Sequence, residues 1–217
     1  LDATDQTFGF DTAVDCATNA LDRLHTTAES HGRVIVLEVM GRNSGWIALH
    51  SGIAGGGDVI LVPEIPFNWP AVCAKVMDRE RRGKRFTLIV VAEGAAPRGG
   101  AVAVHTTADG REVRLGGIGE IVAHEVANRT GKDTRAVVLG HLQRGGAPTT
   151  FDRLLCTRYG EAAVRLIRDG SYGKMVSLHG TEIVAVPITR AIGRPRRIDP
   201  DGELLLSAKA LGIGFGD

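Results

Sequence analysis

The chain has 217 residues and a mass of 23.0 kDa, enough for one large domain or one and a half ordinary ones. With 43% hydrophobic and 24% charged residues it has the balance of a folded globular protein, which excludes a disordered or fibrous chain. Lys and Arg number 26 against 25 Asp and Glu, a formal charge of +1, so no overall field draws the chain to nucleic acid or an anionic membrane, and an anionic ligand has to be held by local cations.

Phe10, Val14, Ala17, Leu21 and Leu24 recur at helical spacing and predict a helix to about His25, with Thr7 or Asp5 placed to cap it. Residues 33–39 form a short, nearly continuous β-branched run, the pattern of a strand covered on both faces in a parallel sheet. Helical spacing returns at 44–55, a buried strand at 59–62, a helix at 69–82 and a strand at 86–92. The alternation continues with a helix at 118–129, a strand at 135–139 and a helix at 150–169, then two short strands within 175–188 and a closing helix at 204–211. This is the order of a doubly wound α/β fold, with mostly parallel sheets and flanking helices. At 101–115 the Asp109-Gly110 pair between alternating residues predicts a hairpin on the edge.

Cys16, Cys73 and Cys156 are odd in number, share no C-x-x-C spacing and fall in helical segments, so they are expected to be buried free thiols. No apolar run approaches the roughly 20 residues of a membrane span and no basic-then-apolar leader opens the chain, which gives a cytoplasmic expectation. Leu1 in place of methionine, followed by loop entering a helix, reads as a piece of a longer protein.

In a doubly wound sheet, ligands bind beyond the carboxyl ends of the strands. After the first strand comes Glu38-Val39-Met40-Gly41-Arg42, where glycine allows close backbone approach and arginine offers a fork of donors to phosphate. After the third comes Glu93-Gly94, a carboxylate able to accept from sugar hydroxyls. After the fourth comes Gly140-His141-Leu142-Gln143-Arg144-Gly145-Gly146, in which His141 and Arg144 can converge on one anion. Arg33 lies at the opposite end of its strand, and serves either as a surface charge or across an interface to a neighbouring subunit.

Other chemistries fail on spacing. No G-x-G-x-x-G follows a strand, and Lys84, Lys132 and Lys174, each preceded by glycine, lack the second glycine of a phosphate-binding P-loop. His124-Glu125 begins a zinc-protease motif that Asn128 breaks, and no G-x-S-x-G elbow is present. The cationic run 79–85 ends an amphipathic helix, where cations favour the dipole, and reads as a solvated helix end rather than a nucleic-acid patch.

With these residues in view, the chain resembles the 6-phosphofructokinase family, which phosphorylates the 1-hydroxyl of fructose 6-phosphate in glycolysis. The resemblance rests on residues 4–13, on Ser30-His31-Gly32-Arg33, Glu38 to Arg42, Pro63-Glu64 and Gly140 to Gly146, in the family's order and spacing, and covers about 4–167. It implies that Met40, Gly41, Glu93, His141, Leu142, Gln143 and Arg144 line the fructose 6-phosphate pocket, with Arg42 facing the transferred phosphoryl group as the one catalytic residue. It further implies that Arg33 and Arg135 reach the 6-phosphate from a neighbouring subunit, so that the protein self-associates as a dimer or tetramer. Residues 1–12 and 136–217 would belong to the nucleotide-donor side and 13–135 to the sugar-phosphate domain.

The family's catalytic aspartate block and its Gly-Gly-Asp loops for nucleotide and Mg2+ would lie before Leu1, so no metal ligand is expected in this chain and the 217 residues alone are expected to be inactive. The donor is ATP or pyrophosphate, since the family contains both kinds. Asp58, Arg82 and Lys84 fall on effector-pocket positions of the family's allosteric members, and His25 stands where regulated bacterial members carry arginine. The competing reading is a catalytically silent regulatory subunit that keeps sugar-phosphate binding. A diacylglycerol or NAD kinase relative shares fold logic but not Gly140 to Gly146.

Overall fold

In the computed structural model, which describes residues 1–106, 113–193 and 195–217, the elements run in chain order α1 (Phe10–His31), β1 (Val34–Val39), α2 (Trp46–Ala54), β2 (Val59–Leu61), α3 (Trp69–Arg81) and β3 (Thr87–Ala92). There follow β4 (Val104–Thr106), β5 (Val113–Leu115), α4 (Ile118–Thr130), β6 (Thr134–Val138), a 3-10 helix (Gly140–Arg144) and α5 (Thr150–Arg168). The chain closes with β7 (Lys174–His179), β8 (Glu182–Pro187), α6 (Ile188–Ala191) and α7 (Glu203–Ala210). They form two compact units, Val14–Gln143 with Arg197–Asp217, and Leu1–Ala13 with Arg144–Arg196.

The larger unit is built on a parallel sheet in the order β2-β3-β1-β6. Strands β1 and β3 are buried along their whole length. Their alternate side chains divide between two cores, as the twofold period of a strand requires. Ile35, Leu37, Val39, Leu88 and Val90 pack with Ala17 and Leu21 of α1, Leu49 of α2 and Leu205 of α7. Val34, Val36, Ile89 and Val91 pack on the opposite face with Val72 and Val76 of α3 and Val122 and Val126 of α4. Each fully buried aliphatic side chain contributes about 1.5–3 kcal/mol, so an apolar run covered on both sides is the most strongly held part of the fold.

The direction of each crossover decides the face of its helix. From β1 the chain moves two strands outward to β2 through α2, then returns through α3 to β3, and passes through α4 to β6 on the far side of β1. Right-handed crossovers put outward and returning helices on opposite faces, and α2 does lie with one core while α3 and α4 lie with the other. The antiparallel pair β4-β5 supports the edge-hairpin expectation on its flanks; its Asp109-Gly110 turn lies outside the described residues.

Residues 197–217 pack on the larger unit, not with 136–196 as the sequence-based boundary has it. Glu64 accepts the Ile198 N–H at 3.1 Å, Gly214 exchanges backbone hydrogen bonds with Asp58 and Ile60, and Phe215 is buried. Strand β6 likewise stays with the larger unit because it pairs with β1.

In the smaller unit the β7-β8 hairpin packs on α5 around Leu155, Tyr159 and Leu178. The first turn of α1 is capped by a residue distant in sequence: buried Asp152 accepts the N–H groups of Gly9 (2.9 Å) and Thr12 (2.8 Å). Asp5, one of the two residues placed to cap that helix, accepts from Gly180 of the hairpin instead. The three cysteines are free thiols, but they are not buried as expected: Cys16 and Cys73 are half-buried and Cys156 is exposed. No helix among the described residues is long and apolar enough to cross a membrane.

Candidate functional site

The loop after β1 leads to α2 on one face of the sheet, and the connection after β3 leads to α4 on the other. Between these neighbouring strands the departing chains separate, which opens the crevice where doubly wound sheets bind ligands. A cleft of about 600 Å³ lies there, lined by Met40 after β1, Glu93 after β3, and Gly140 and His141 after β6, with Gly117 and Glu120 at the start of α4.

Glu93 joins two of these loops. Its Oε1 accepts the backbone N–H groups of Gly41 at 3.1 Å and Arg42 at 2.8 Å, while its own N–H donates to the Val39 carbonyl. One carboxylate oxygen therefore fixes the 40–42 turn, and Oε2 remains for a donor in the cleft. The turn is tight: Arg42 has φ 51°, and a Cβ on Gly94 would stand 1.8 Å from the Arg42 carbonyl oxygen. Only glycine fits at 94, so the sequence can bring the β1 and β3 loops this close.

Gln143, expected to face the sugar phosphate, is 2% exposed. Its Oε1 accepts from the Met40 N–H at 3.4 Å and its Nε2 donates to the Gly140 carbonyl at 3.2 Å, so its amide serves to brace two loops of the cleft. Leu142 is 70% exposed, with its carbonyl accepting from the Cys16 thiol. Gly41, Arg42 and Leu142 belong to the loops around the cleft without lining it. Arg144, exposed at the end of the 3-10 helix, falls in the unit of Leu1–Ala13 and Arg144–Arg196.

The first residue of the Glu38 to Arg42 run has a structural role, as its apolar strand neighbours suggest. Glu38, within β1, is 3% exposed and accepts the N–H groups of Gly117 (3.1 Å) and Gly119 (2.7 Å). It supplies the N-terminal cap of α4, whose own cap residue Gly117 has no side chain to do so. The available signal was a single carboxylate in an otherwise apolar strand, which must be hydrogen-bonded to be buried.

Arg33 and Arg135 lie at the other end of the sheet. Val34 pairs with Thr134 at the start of β1 and β6, so the two arginines stand about a strand length, roughly 17–20 Å, from the cleft. Both contact Asp133, at 2.5 Å from Arg33 and 2.9 Å from Arg135.

A second cleft, of about 560 Å³, is lined by His25, Asp58 and Lys84, together with Glu29, Arg79 and Arg85. Arg82, expected with them, is not among the lining residues and pairs instead with Asp78 at 2.8 Å on the exposed end of α3. His25 meets Phe86 edge to face at 4.6 Å. Burial pushes the Asp58 carboxyl above the usual carboxylate range, against the opposing pull of the Leu88 N–H at 2.9 Å and of Arg79 at 2.6 Å. Among the described residues no group of three or more His, Cys, Asp or Glu could hold a metal ion.

A parallel sheet with helices on both faces and a cleft at its switch point, where Glu93 and His141 stand among apolar side chains, places the chain in the doubly wound α/β class. The family profile described as phosphofructokinase matches residues 1–167, and the chain belongs to that family. It is 58% identical over 217 residues to the ATP-dependent 6-phosphofructokinase of Chloroflexus aurantiacus, covering 100% of this chain and 60% of that protein. It is also 55% identical over 202 residues to the pyrophosphate–fructose 6-phosphate 1-phosphotransferase of Streptomyces coelicolor, covering 92% of this chain and 59% of the relative. Among solved structures, the phosphofructokinase of Saccharomyces cerevisiae superposes with a TM-score of 0.73 at 34% identity, covering 88% of this chain and 24% of that one. The chain thus spans about 60% of the length of such relatives.

Proposed function

We propose that this chain carries the acceptor side of a 6-phosphofructokinase, which transfers a phosphoryl group from ATP or pyrophosphate to the 1-hydroxyl of fructose 6-phosphate. The observation that carries the reading is the convergence of Met40, Glu93 and His141 from three strand ends on one cleft in a phosphofructokinase-family fold. In the transfer, the 1-hydroxyl oxygen forms a bond to phosphorus as the bond to the leaving ADP or phosphate breaks, and the hydroxyl proton passes to a base. This chain's part is positioning and charge. Glu93 Oε2 accepts from a sugar hydroxyl, while Met40 forms the wall against the sugar, held by the turn that Gly41 makes. His141 and Arg144 bind the 6-phosphate, and Arg42 faces the transferred group. Arg33 and Arg135 complete the phosphate clamp from a neighbouring subunit, which requires at least a dimer.

The test is steady-state kinetics of the full-length gene product with fructose 6-phosphate and with ATP or pyrophosphate in turn. One donor is expected to give fructose 1,6-bisphosphate, and His141→Ala to raise the sugar-phosphate KM by about tenfold or more, the loss of a charge-assisted hydrogen bond. A sugar-phosphate KM that His141→Ala leaves unmoved would overturn the assignment. Binding without turnover by either donor would identify a silent sugar-phosphate-binding subunit instead.

A further inference from the structure

Asp133 stands between Arg33 and Arg135, with Oδ2 2.5 Å from Nε of Arg33 and Oδ1 2.9 Å from Nη1 of Arg135. The backbone dictates this arrangement. Strands β1 and β6 run parallel with Val34 opposite Thr134, and the Val34 N–H donates to the Asp133 carbonyl, so the residues preceding the two strands, Arg33 and Asp133, lie side by side. Asp133 and Arg135 are two apart at a strand start, the spacing that puts side chains on one face. Two like charges from neighbouring strands thereby share one carboxylate.

The carboxylate does little for the fold. Asp133 is 42% exposed, Arg33 32% and Arg135 61%, and ion pairs at such exposure contribute little to stability. Its effect falls on the arginines themselves. A long guanidinium side chain loses much rotamer freedom when it is fixed, and two adjacent guanidiniums repel each other. Asp133 opposes both effects while engaging Nε of one arginine and Nη1 of the other, which leaves further N–H donors on each for a second anion.

We infer that Asp133 is a positioning residue for the sugar-phosphate clamp: it orders Arg33 and Arg135 as a pair before a phosphate monoester arrives. The inference rests on the proposed assignment of these arginines to the 6-phosphate. Pre-ordering and simple charge counting predict opposite signs. A carboxylate that acted only as a nearby negative charge would repel the phosphate, and its removal would tighten binding. A carboxylate that orders the clamp weakens binding when it is removed, although the site then gains positive charge.

The experiment compares Asp133→Asn, Asp133→Glu, Arg135→Ala and the Asp133→Asn/Arg135→Ala double variant in the full-length gene product, with sugar-phosphate KM, donor KM and Tm measured for each. Asp133→Asn is expected to raise the sugar-phosphate KM roughly five- to tenfold, with donor KM and Tm held. Asp133→Glu should recover most of the loss, and the double variant should be little worse than Arg135→Ala. A lowered or unmoved sugar-phosphate KM in Asp133→Asn, with Arg135→Ala still impaired, would overturn the positioning role while the functional reading stands. Equal losses in both KM values with a fallen Tm would overturn it in favour of a structural role. If Arg135→Ala itself leaves the sugar-phosphate KM unmoved, the clamp assignment falls and the inference with it.

Discussion

The Gly119 N–H donates to Oε2 of Glu38 at 2.7 Å, tying the start of α4 to the carboxyl end of β1. With Gly117 on Oε1, both carboxylate oxygens receive backbone donors at a buried helix N-terminus, where the helix dipole also favours a negative charge. Glu38→Gln puts an amide NH2 where one of those donors needs an acceptor. It is expected to lower stability by about 1–3 kcal/mol, the cost of a buried donor left unpaired. Denaturant unfolding of both proteins measures this, and a difference below about 0.5 kcal/mol, the scale of an ordinary surface substitution, would show that the Gly119 donor finds another partner.

Gly94→Ala tests the contact between the β1 and β3 loops. Its Cβ would collide with the Arg42 carbonyl oxygen, which is backbone and cannot swing aside. The 40–42 turn must move, at a cost of about 1–3 kcal/mol. Since Glu93 holds that same turn, the sugar-phosphate KM of the full-length product is expected to rise along with the loss of stability. An alanine variant with unchanged KM would separate the turn from the substrate site.

The layered fold was legible because its signals are local. β-Branched runs at 34–39 and 87–92 mark strands buried on both faces, and the structure departs from the predicted element ends by a residue or two in most cases. Helix α1 is the exception: it continues six residues past His25 to His31, because a surface helix end carries no sharp stop before Gly32. Met40, Glu93 and His141 were legible as candidates because topology sends strand ends to one edge. What the sequence hid are partners far apart in the chain. Asp152 capping α1 and Gln143 turned inward to Met40 each depend on tertiary placement that no local pattern encodes. Arg82 likewise pairs with Asp78 at the helix end it sits on and does not line the cleft of His25, Asp58 and Lys84.

Asp58 gives a pH dependence of unusual sign. Burial raises its pKa in the folded chain above the unfolded value, so the folded state holds its proton more tightly. Between the two values the folded state carries more protons than the unfolded one, and stability from this group falls as pH rises through that window. Asp58→Asn removes the titration. The Tm of the parent relative to that of Asp58→Asn is therefore expected to decrease as pH is raised from below the ordinary carboxylate value into the neutral range. A relative Tm that increases instead would mean that Arg79 and the Leu88 N–H outweigh burial.

The separation of Arg33 from His141 by the length of β1 makes the subunit requirement testable by complementation. Arg33 precedes the strand and His141 lies beyond the carboxyl edge of the same sheet, so a single sugar phosphate cannot bridge the two within one larger unit. If Arg33 serves a neighbour, Arg33→Ala and His141→Ala damage different contributions to each site. In a mixed dimer, one site then combines His141 from the first subunit with Arg33 from the second and carries neither lesion, while the other carries both. Full-length subunits bearing each substitution, dissociated and reassembled as a verified hybrid, are expected to recover activity well above either parent, approaching half that of the unsubstituted enzyme. If both residues served the same chain's site, every site in the hybrid would keep one lesion. Activity no higher than the mean of the two parents would then place the arginine pair outside the substrate clamp of a partner.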